Sequence, residues 1–498
     1  MKKFWKLLSM LLIVALLAGT VAMILTGCGE SEEVVEEEEF QLEVEGFQVG
    51  FSRVIMNPTT SAPLTGYGND AHRYFKNVMD NITCSAIAIS DAYGSHYIWM
   101  TSDLMSINDS ITSMVRKFVS QKTGIPEDNI INAVTHTHSA PTPYRSDLLN
   151  STEYRDIIIQ KQVEAAINAL NDRKPAQMYV GSVETERLNF LRHLYHTTIT
   201  GEREYFGDNF GVHVFDDTTQ MVHDPDPTMH MLRFVREGDK DVILSNFRGH
   251  SHFTDGLNAY DLSADCWVSF REALEHQTGA HVAFFQGAPG NVNTRTNLPL
   301  LARTNDMRTY GNYLAEHALD GLENNMRKIE DPRIECKILT ISQEINHSMN
   351  HLYAQAREIS IIWAKTGNKA DINHLMTQDG TGIRSPYQAS AIVANFSRTA
   401  HKDGLMTIRA LSLSEDFAIY ALPVELFDEL SVYGEENSPF ETTMFFGYAD
   451  EYFGYLPSAA AYEYTCYETD ITRYANGCGE KTMEVVLEML NELYERYQ

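Results

Sequence analysis

Two segments of the chain each carry a pair of histidines separated by one residue. His136 and His138 form the first pair, and His250 and His252 form the second. Both pairs follow apolar runs typical of β-strands, in which residues i and i+2 point to the same face. Two imidazoles on one face can reach one cavity, where one binds a divalent metal ion and the other supports it or transfers a proton. A hydrogen-bonded structural pair explains one such segment equally well, but the repetition favours a metal site.

Glu425 is a candidate anionic ligand for the same metal ion. An apolar run ends at Pro423, and the residues that follow are predicted to open a helix with Glu425 in its first turn. A carboxylate at this end of a helix is also favourable on electrostatic grounds alone. As a ligand, its oxygen atom would complete a site that histidines hold.

The turn at residues 286–294 follows another apolar run and contains Gly287 and Gly290. Because glycine lacks a Cβ atom, the backbone N–H groups of such a turn can closely approach an oxyanion or a substrate headgroup. An ordinary tight turn explains the same residues.

Residues 452–468 are dense in tyrosine and include Tyr455 and Tyr467. Packing in an aromatic core is the ordinary explanation for such a segment. Near a metal ion, however, a phenol can bind the ion or donate a hydrogen bond to a developing oxyanion.

Short β-rich runs alternate with helical patterns along the chain, which predicts an α/β architecture of mixed β-sheets layered with helices. The predicted strands are residues 84–90, 96–101, 129–134, 242–247, 281–286 and 417–422. The predicted helices are residues 106–123, 153–171, 260–276, 306–326, 346–365 and 481–497. Several strands run into polar turns rich in His, Gly or Asn, and ligands collect at such turns in open α/β sheets.

The first 27 residues have the layout of a secretory signal, with Lys2 and Lys3 ahead of an apolar stretch. Residues 25–28, Leu-Thr-Gly-Cys, resemble the lipobox of bacterial lipoproteins. We therefore expect residues 1–27 to be a lipoprotein signal peptide and Cys28 to be lipidated. The mature protein would then be anchored in the cell membrane by this lipid and would face the extracellular side. A transmembrane anchor is the alternative for the apolar stretch.

Residues 28–46 are rich in glutamate and are expected to form a solvated tether between the lipid and the folded domain. The chain has a formal net charge of −29, and removal of the lysine-bearing signal makes it more negative. A field of this sign repels phosphate backbones, which excludes nucleic acid as a partner. It also argues against electrostatic docking on anionic lipid, so the lipid anchor holds the protein at the membrane.

Residues 47–498 contain no linker-like stretch, no repeat and no second run of charges, which predicts one large domain. Because this length exceeds the roughly 250–300 residues that one core usually serves, two closely packed lobes are the alternative. Cys466 and Cys478 are near enough in sequence for a disulfide in an exported protein.

Taken together and in this order, these segments resemble the catalytic domain of the neutral ceramidases, which are amidohydrolases, and their shorter bacterial relatives. The similarity is spread over most of residues 47–498. The sequence also resembles the family at residues 66–68, 189–192, 224–225 and 263–265. The resemblance implies a single large catalytic domain of the neutral ceramidase type, without the C-terminal β-sandwich of the ceramidases.

The resemblance also implies a zinc ion, Zn²⁺, as the cofactor. Its implied ligands are His136, His250, Glu425 and Tyr455. The implied active-site residues are His138, Arg192, Tyr467 and Asn293. The histidine register has one alternative, in which His252 replaces His250 as the ligand.

Three positions depart from the family pattern. Pro-Gly-Glu of the family is Pro423-Val424-Glu425 here, which keeps the carboxylate but changes the backbone before it. The family loop Gly-Asp-Val-Ser-Pro has Asn291 in place of aspartate and Asn293 in place of serine. An amide at residue 293 can still donate a hydrogen bond where the serine would.

The expected reaction is hydrolysis of an N-acyl amide in a ceramide-like lipid by metal-activated water. His138 would pass a proton to the leaving amine, while Arg192 and Tyr467 would hold the oxyanion and the headgroup. One alternative is a zinc hydrolase with another amide or ester specificity, because a fold does not fix a substrate. The other is a non-catalytic substrate-binding lipoprotein, which Asn291 and Asn293 would suit.

Overall fold

The strands that precede the histidine pairs belong to one mixed sheet. In the part of the chain that the computed structural model describes, this sheet has nine strands. In spatial order they are His281–Gln286, Val242–Phe247, Thr228–Arg236, Lys174–Glu184, Gln48–Ile55, Thr83–Ser90, His96–Ser102 and Ile130–Val134, and Arg327–Ile329 also pairs with Lys174–Glu184. The first two strands of this order are parallel to each other, as are the last two, and the remaining pairs are antiparallel.

The structure describes residues 40–67, 70–185, 188–208, 219–254, 256–294, 306–377, 382–464 and 466–498. The predicted signal peptide, Cys28 and most of the predicted tether lie outside these residues. Residues 41–498 form one compact unit. Among the described helices, none is both long enough and apolar enough to cross a membrane.

The nine-stranded sheet curves so that its two ends approach each other. The hydroxyl of Thr101, near one end, donates a hydrogen bond of 2.9 Å to the carbonyl of Phe284, in the strand at the other end. Curvature of this kind brings the end of the Ile130–Val134 strand towards the end of the Val242–Phe247 strand. The two histidine pairs follow these two strands, so the curvature is what places them in one region.

A second sheet packs on the first. Its strands, in spatial order, are Glu335–Ser342, Leu405–Ser414, Phe417–Ala421 and Thr442–Phe446. Leu411 and Phe446 of this sheet share a buried apolar core with Trp99 and Phe285 of the larger sheet. The rings of Phe285 and Phe446 stack with centroids 4.5 Å apart. Burial of apolar area between the two sheets therefore forms the centre of the molecule.

Helices cover the outer faces of both sheets. Trp267, in one of these helices, stacks on Phe284 of the large sheet with centroids 3.9 Å apart. Val486, in the last long helix, packs against Met406 of the smaller sheet. The helices are Asp109–Thr123, Ser151–Asn171, Cys266–Thr278, Met307–Asn324, Tyr353–Thr366, Pro386–Asn395, Ala400–Asp403, Asp428–Glu436, Ala461–Tyr464, Tyr467–Ile471 and Cys478–Tyr494. The predicted α/β class, with mixed sheets layered by helices, is confirmed.

Short strand pairs link these layers around the candidate site. The strand Glu425–Leu426 pairs with Tyr455–Leu456, and Val292–Thr294 pairs with Asn189–Leu191. The other small sheets contain Asn77–Val78 with Asp261–Leu262, and Thr219–Met221 with His193–Thr197 and Arg203–Asp208.

All six predicted strands are present, with ends that differ by at most one residue from the prediction. Helix starts differ more. The helix predicted at 260–276 begins at Cys266, because Asp261–Leu262 pairs as a strand and the carboxylate of Asp265 caps the helix at the N–H of Cys266. The helix predicted at 346–365 begins at Tyr353, after a short 3₁₀ turn at Asn350–Leu352.

The suggested disulfide between Cys466 and Cys478 is not formed. The thiol of Cys466 contacts the hydroxyl of Thr469, whereas that of Cys478 contacts the carbonyl of Glu344. The two side chains are therefore directed at different groups.

Candidate metal centre

His136 and His138 lie in a loop directly after the Ile130–Val134 strand, and not on the strand itself. The backbone of His136 has a φ of 60°, which is the left-handed region that side-chain-bearing residues seldom adopt. The expectation that an extended strand presents both imidazoles is therefore wrong in its backbone geometry. The turn nevertheless brings the two rings together, with His136 Nε2 and His138 Nε2 3.0 Å apart.

Backbone carbonyls orient the rings of His136 and His250. The Nδ1 atom of His136 lies 2.7 Å from the carbonyl of Met105, and Nδ1 of His250 lies 3.2 Å from the carbonyl of Val292. Because a carbonyl only accepts hydrogen bonds, each Nδ1 carries the proton. The Nε2 atom of each neutral ring then presents a lone pair to the interior, which is the usual arrangement for a metal-binding histidine.

Glu425 faces both of these lone pairs. Its Oε2 atom lies 2.8 Å from His250 Nε2 and 3.7 Å from His136 Nε2. The residue is in the two-residue strand Glu425–Leu426, and the helix begins at Asp428. The prediction that Glu425 occupies the first turn of a helix is therefore wrong, although its side chain does reach the histidines.

These three side chains are almost fully buried, and their hydrogen-bond acceptor atoms face one another. Burial lowers the pKa of His136 and of His250 to about 3, so both rings are neutral near pH 7. With the proton of each ring on Nδ1, two Nε2 lone pairs and a carboxylate oxygen converge. A buried cluster of acceptors of this kind is unfavourable unless a positive ion compensates it.

The separations of the donor atoms fit a divalent ion. Bonds of about 2.0–2.2 Å to a tetrahedral zinc ion imply ligand separations of roughly 3.3–3.6 Å. The separations of 2.8, 3.0 and 3.7 Å among these nitrogen and oxygen atoms lie around those values. The donor nitrogens of His136, His138 and His250 all lie within 4.8 Å of one another. The residues present therefore fit a metal ion held by imidazole and carboxylate groups.

His138 is the third imidazole of this cluster. Its Nδ1 atom is buried and has no hydrogen-bond partner among the described residues. Burial holds the pKa of His138 well below its usual value, and the nearby His252 lowers it further. Gly66 packs so closely that a Cβ atom there would lie 2.5 Å from the Cβ of His138. A neutral ring held in this way can bind the ion or exchange a proton.

His252 is adjacent to His138, but its nitrogen atoms do not belong to the set of converging donor atoms. Its ring centroid is 4.6 Å from that of His138 and 5.4 Å from that of His250, and the residue is half-buried. The geometry therefore favours His250 over His252 as the ligand.

Tyr455 borders the cluster. Its backbone pairs in register with Glu425, and its ring centroid lies 6.2 Å from that of His250. Burial raises the pKa of the Tyr455 phenol well above its usual value, and the carboxylate of Glu425 raises it further. The structure thus brings Tyr455 to the wall of the site. The phenol that contacts Glu425 belongs to Tyr452, whose hydroxyl donates to Oε1 at 2.5 Å.

Arg192 lies on the other side of His250 and is fully buried. Its Nε atom donates to Glu468 Oε1 at 2.6 Å, and its Nη2 atom donates to the carbonyl of Gly290 at 2.6 Å. Burial opposes the charge of Arg192, but Glu468, Tyr455 and Glu425 together outweigh it and raise the pKa of Arg192 well above its usual value. Arg192 is therefore a permanent cation fixed beside His250, with Nη1 3.5 Å from its Nδ1 atom.

The turn at residues 286–294 holds Glu425 in place. The N–H of Gly290 donates to the carbonyl of Leu426, and a Cβ atom on Gly290 would lie 2.7 Å from the carbonyl oxygen of Glu425. The N–H of Gly287 donates to the carbonyl of Phe247. These amide groups are used inside the protein, so the expectation that they face a ligand does not hold for Gly287 and Gly290.

The two asparagines of this turn have different surroundings. Asn291 accepts a hydrogen bond from the N–H of Asp428 and donates one to Glu429, so it secures the start of the Asp428–Glu436 helix. Asn293 is buried, and its Oδ1 atom lies 3.4 Å from Nη1 of Arg192. Its Nδ2 atom has no partner among the described residues, so the amide retains a donor.

Tyr467 stands beyond Tyr455. Its ring lies 6.0 Å from that of Tyr455 and 6.2 Å from that of Tyr387, which comes from the helix Pro386–Asn395. Tyr467 is half-buried, so it borders the site without being enclosed in it.

Three residues near the centre were not predicted to act there. Tyr452 hydrogen-bonds Glu425, Glu468 pairs with Arg192, and the ring of Tyr448 stacks on that of His136 at 4.2 Å. Tyr452 and Glu468 fall within the tyrosine-rich segment at residues 452–468, but no spacing rule distinguishes them from their neighbours.

Comparison with solved structures shows the same fold in the ceramidases. A structure of neutral ceramidase from Pseudomonas aeruginosa matches with a TM-score of 0.68 and 17% sequence identity, over 91% of this chain and 75% of that chain. A structure of ceramidase complexed with C2 matches with a TM-score of 0.68 and 16% identity, over 91% of this chain and 76% of that chain. No family model and no curated protein matches the sequence. The predicted resemblance is confirmed at the level of the fold, and the chain has the fold of the neutral ceramidases.

Proposed function

We propose that the protein is a zinc-dependent amidohydrolase that cleaves the N-acyl bond of a ceramide-like lipid. The observation that carries the proposal is the convergence of His136 Nε2 and His250 Nε2 on the carboxylate of Glu425, with both Nδ1 atoms held by carbonyls. His136, His250 and Glu425 would hold the metal ion, with Tyr455 as the fourth ligand. When bound, zinc supplies a Lewis acid that polarises a carbonyl and lowers the pKa of water towards about 7.

Three groups of the chain can assist amide cleavage. Nδ1 of His138, which has no partner among the described residues, can hold a proton and pass it to the leaving amine. The Nδ2 donor of Asn293 can hydrogen-bond an oxygen that gains negative charge, and the fixed charge of Arg192 lies beside it. Tyr467, whose ring lies beside that of Tyr455, would contact the polar part of the substrate.

The lipid substrate and the membrane setting belong to the same proposal. Two of the matching solved structures are ceramidases, which supports an amide of a lipid as the substrate. The lipobox-like residues 25–28 support a lipid anchor on Cys28 and a location on the extracellular side of the cell membrane. An anchored hydrolase would meet its substrate in or near the same membrane.

The test combines zinc analysis with a turnover assay on the purified full-length protein in detergent. One zinc per chain, together with fatty-acid release from a fluorescent N-acyl-sphingosine, is the expected result. His136→Ala should lose both, whereas His374→Ala, at an exposed histidine, should lose neither. If the protein binds zinc but releases no fatty acid, its substrate is another amide or an ester. A protein that binds no zinc would refute the metal-dependent mechanism.

A further inference from the structure

Tyr452 contacts the proposed metal site through the carboxylate of Glu425. Its hydroxyl donates a hydrogen bond of 2.5 Å to Oε1, while Oε2 faces the nitrogen atoms of His136 and His250. A phenol has a single O–H, and a carboxylate only accepts, so the direction of this bond is fixed. One oxygen of Glu425 is therefore committed to Tyr452, and the other is left for the histidine side of the cluster.

The backbone holds Tyr452 at a fixed distance from Glu425. The N–H of Phe453, the next residue, donates to the carbonyl of Pro423 at 2.8 Å. The N–H of Glu425 donates to the carbonyl of Gly454 at 3.0 Å. These two bonds flank the side-chain contact, so the backbones of Tyr452 and Glu425 are held at a fixed separation.

The same loop is tied to the strand that leads to His136. The N–H of Asp450 donates to the carbonyl of Asn132, and the carboxylate of Asp450 accepts from the N–H of Asn132. Arg116 and Arg409 hold that carboxylate in ion pairs of 2.5 and 2.6 Å. One short loop thus connects the segment before His136 with the segment before Glu425.

We propose that Tyr452 is a positioning residue that fixes the orientation of the Glu425 carboxylate and thereby sets the affinity of the site for zinc. This inference rests on the proposed function. A glutamate side chain has several rotatable bonds, and ordering it costs conformational entropy when no partner restrains it. Groups that hydrogen-bond a metal ligand typically change metal affinity 10- to 100-fold when they are removed.

The test is a zinc titration of the full-length protein in competition with a chromophoric chelator. Tyr452→Phe removes only the hydroxyl, and we expect it to raise the dissociation constant for zinc 10- to 100-fold. Tyr154→Phe is the matched control, because Tyr154 is buried and its hydroxyl has no partner among the described residues. That control should bind zinc as the wild-type protein does.

Two further measurements separate positioning from a general loss of structure. The melting temperature of Tyr452→Phe, taken in excess chelator, should stay close to that of the wild type. In a Glu425→Ala background, Tyr452→Phe should lower zinc affinity by less than twofold, because the group through which it acts has been removed.

The outcomes distinguish the two proposals. If the wild type binds zinc and Tyr452→Phe binds it equally well, this inference is refuted while the proposed metal site stands. If Tyr452→Phe lowers zinc affinity by the same factor with and without the Glu425 carboxylate, Tyr452 does not act through Glu425 and the inference also fails. If the wild type binds no zinc, the proposed function and this inference fall together.

Discussion

His250 Nε2 and Glu425 Oε2 lie 2.8 Å apart, although 175 residues separate them in the chain. The turn at residues 286–294 bridges them, because Gly290 donates to the carbonyl of Leu426 and Val292 accepts from the N–H of His250. Backbone hydrogen bonds from one segment therefore set the distance between two side chains that the sequence leaves far apart. The proposed metal site is built on this bridge.

Replacement of His250 should remove the metal, whereas replacement of His252 should not. The Nε2 atom of His250 faces Glu425, but His252 lies outside the converging donor atoms. We expect His250→Ala to lose most of its zinc and His252→Ala to retain at least half, as measured by elemental analysis after gel filtration. Loss of zinc in His252→Ala alone would show that the ligand register is shifted by two residues.

Glu468→Gln should destabilise the protein by roughly 3–5 kcal/mol, because it leaves the buried charge of Arg192 without its carboxylate. Both residues are almost fully buried, and Glu468 also pairs with His193 at 2.9 Å. Urea unfolding followed by circular dichroism measures the change in the free energy of unfolding. Glu463→Gln, at an exposed position nearby, is the control and should change this free energy by less than about 0.5 kcal/mol. A change of similar size in both variants would contradict the ion-pair argument.

Local pattern was sufficient to predict the strands and the residues that follow them. Apolar runs identified the Ile130–Val134 and Val242–Phe247 strands, and the polar residues after each run included His136 and His250. This information is local, because a buried strand must be apolar whatever it pairs with. The same reasoning failed for the backbone of His136, since nothing in the spacing of two histidines reveals a φ of 60°.

The partners of the site residues depend on contacts between distant segments and could not be predicted in this way. Tyr452 acts on Glu425 because two strands pair in parallel, and Glu468 reaches Arg192 across 276 residues. Asn291 departs from the family pattern, yet its side chain has a structural role, because it accepts a hydrogen bond from the first residue of a helix. Its substitution therefore says little about whether the protein is catalytic.

Asn293→Ala should slow turnover without removing the metal. If the Nδ2 donor of Asn293 stabilises the oxygen that gains charge, its loss should lower kcat about 100-fold, as for a single oxyanion donor. The measurement is kcat for a fluorescent N-acyl-sphingosine at saturating zinc, with zinc content determined in parallel. Asn437→Ala, at an exposed asparagine, should keep full activity. Unchanged kcat in Asn293→Ala would remove this residue from the proposed mechanism.

The contribution of Glu451 to the stability of the protein should fall as pH rises from about 4.5 to 7. Burial, and then the nearby Asp109, raise the pKa of Glu451 from 4.5 to about 7. In this interval Glu451 still carries a proton in the folded chain that it has released in the unfolded chain, so a rise in pH weakens the contribution of this residue to the free energy of unfolding. Above pH 7 the full loss of stability due to Glu451 has occurred, and below pH 4.5 there is none.

Glu451→Gln keeps an uncharged side chain at every pH and should remove this part of the slope. We expect the variant to have a higher free energy of unfolding than the wild type at pH 8 and the same value at pH 4, measured by urea titration at both pH values. Glu436→Gln, at an exposed glutamate, serves as the control and should track the wild type at both pH values. If Glu451→Gln raises the free energy of unfolding by the same amount at pH 4 and pH 8, the amide stabilises the fold by packing. The titration of Glu451 would then play no part.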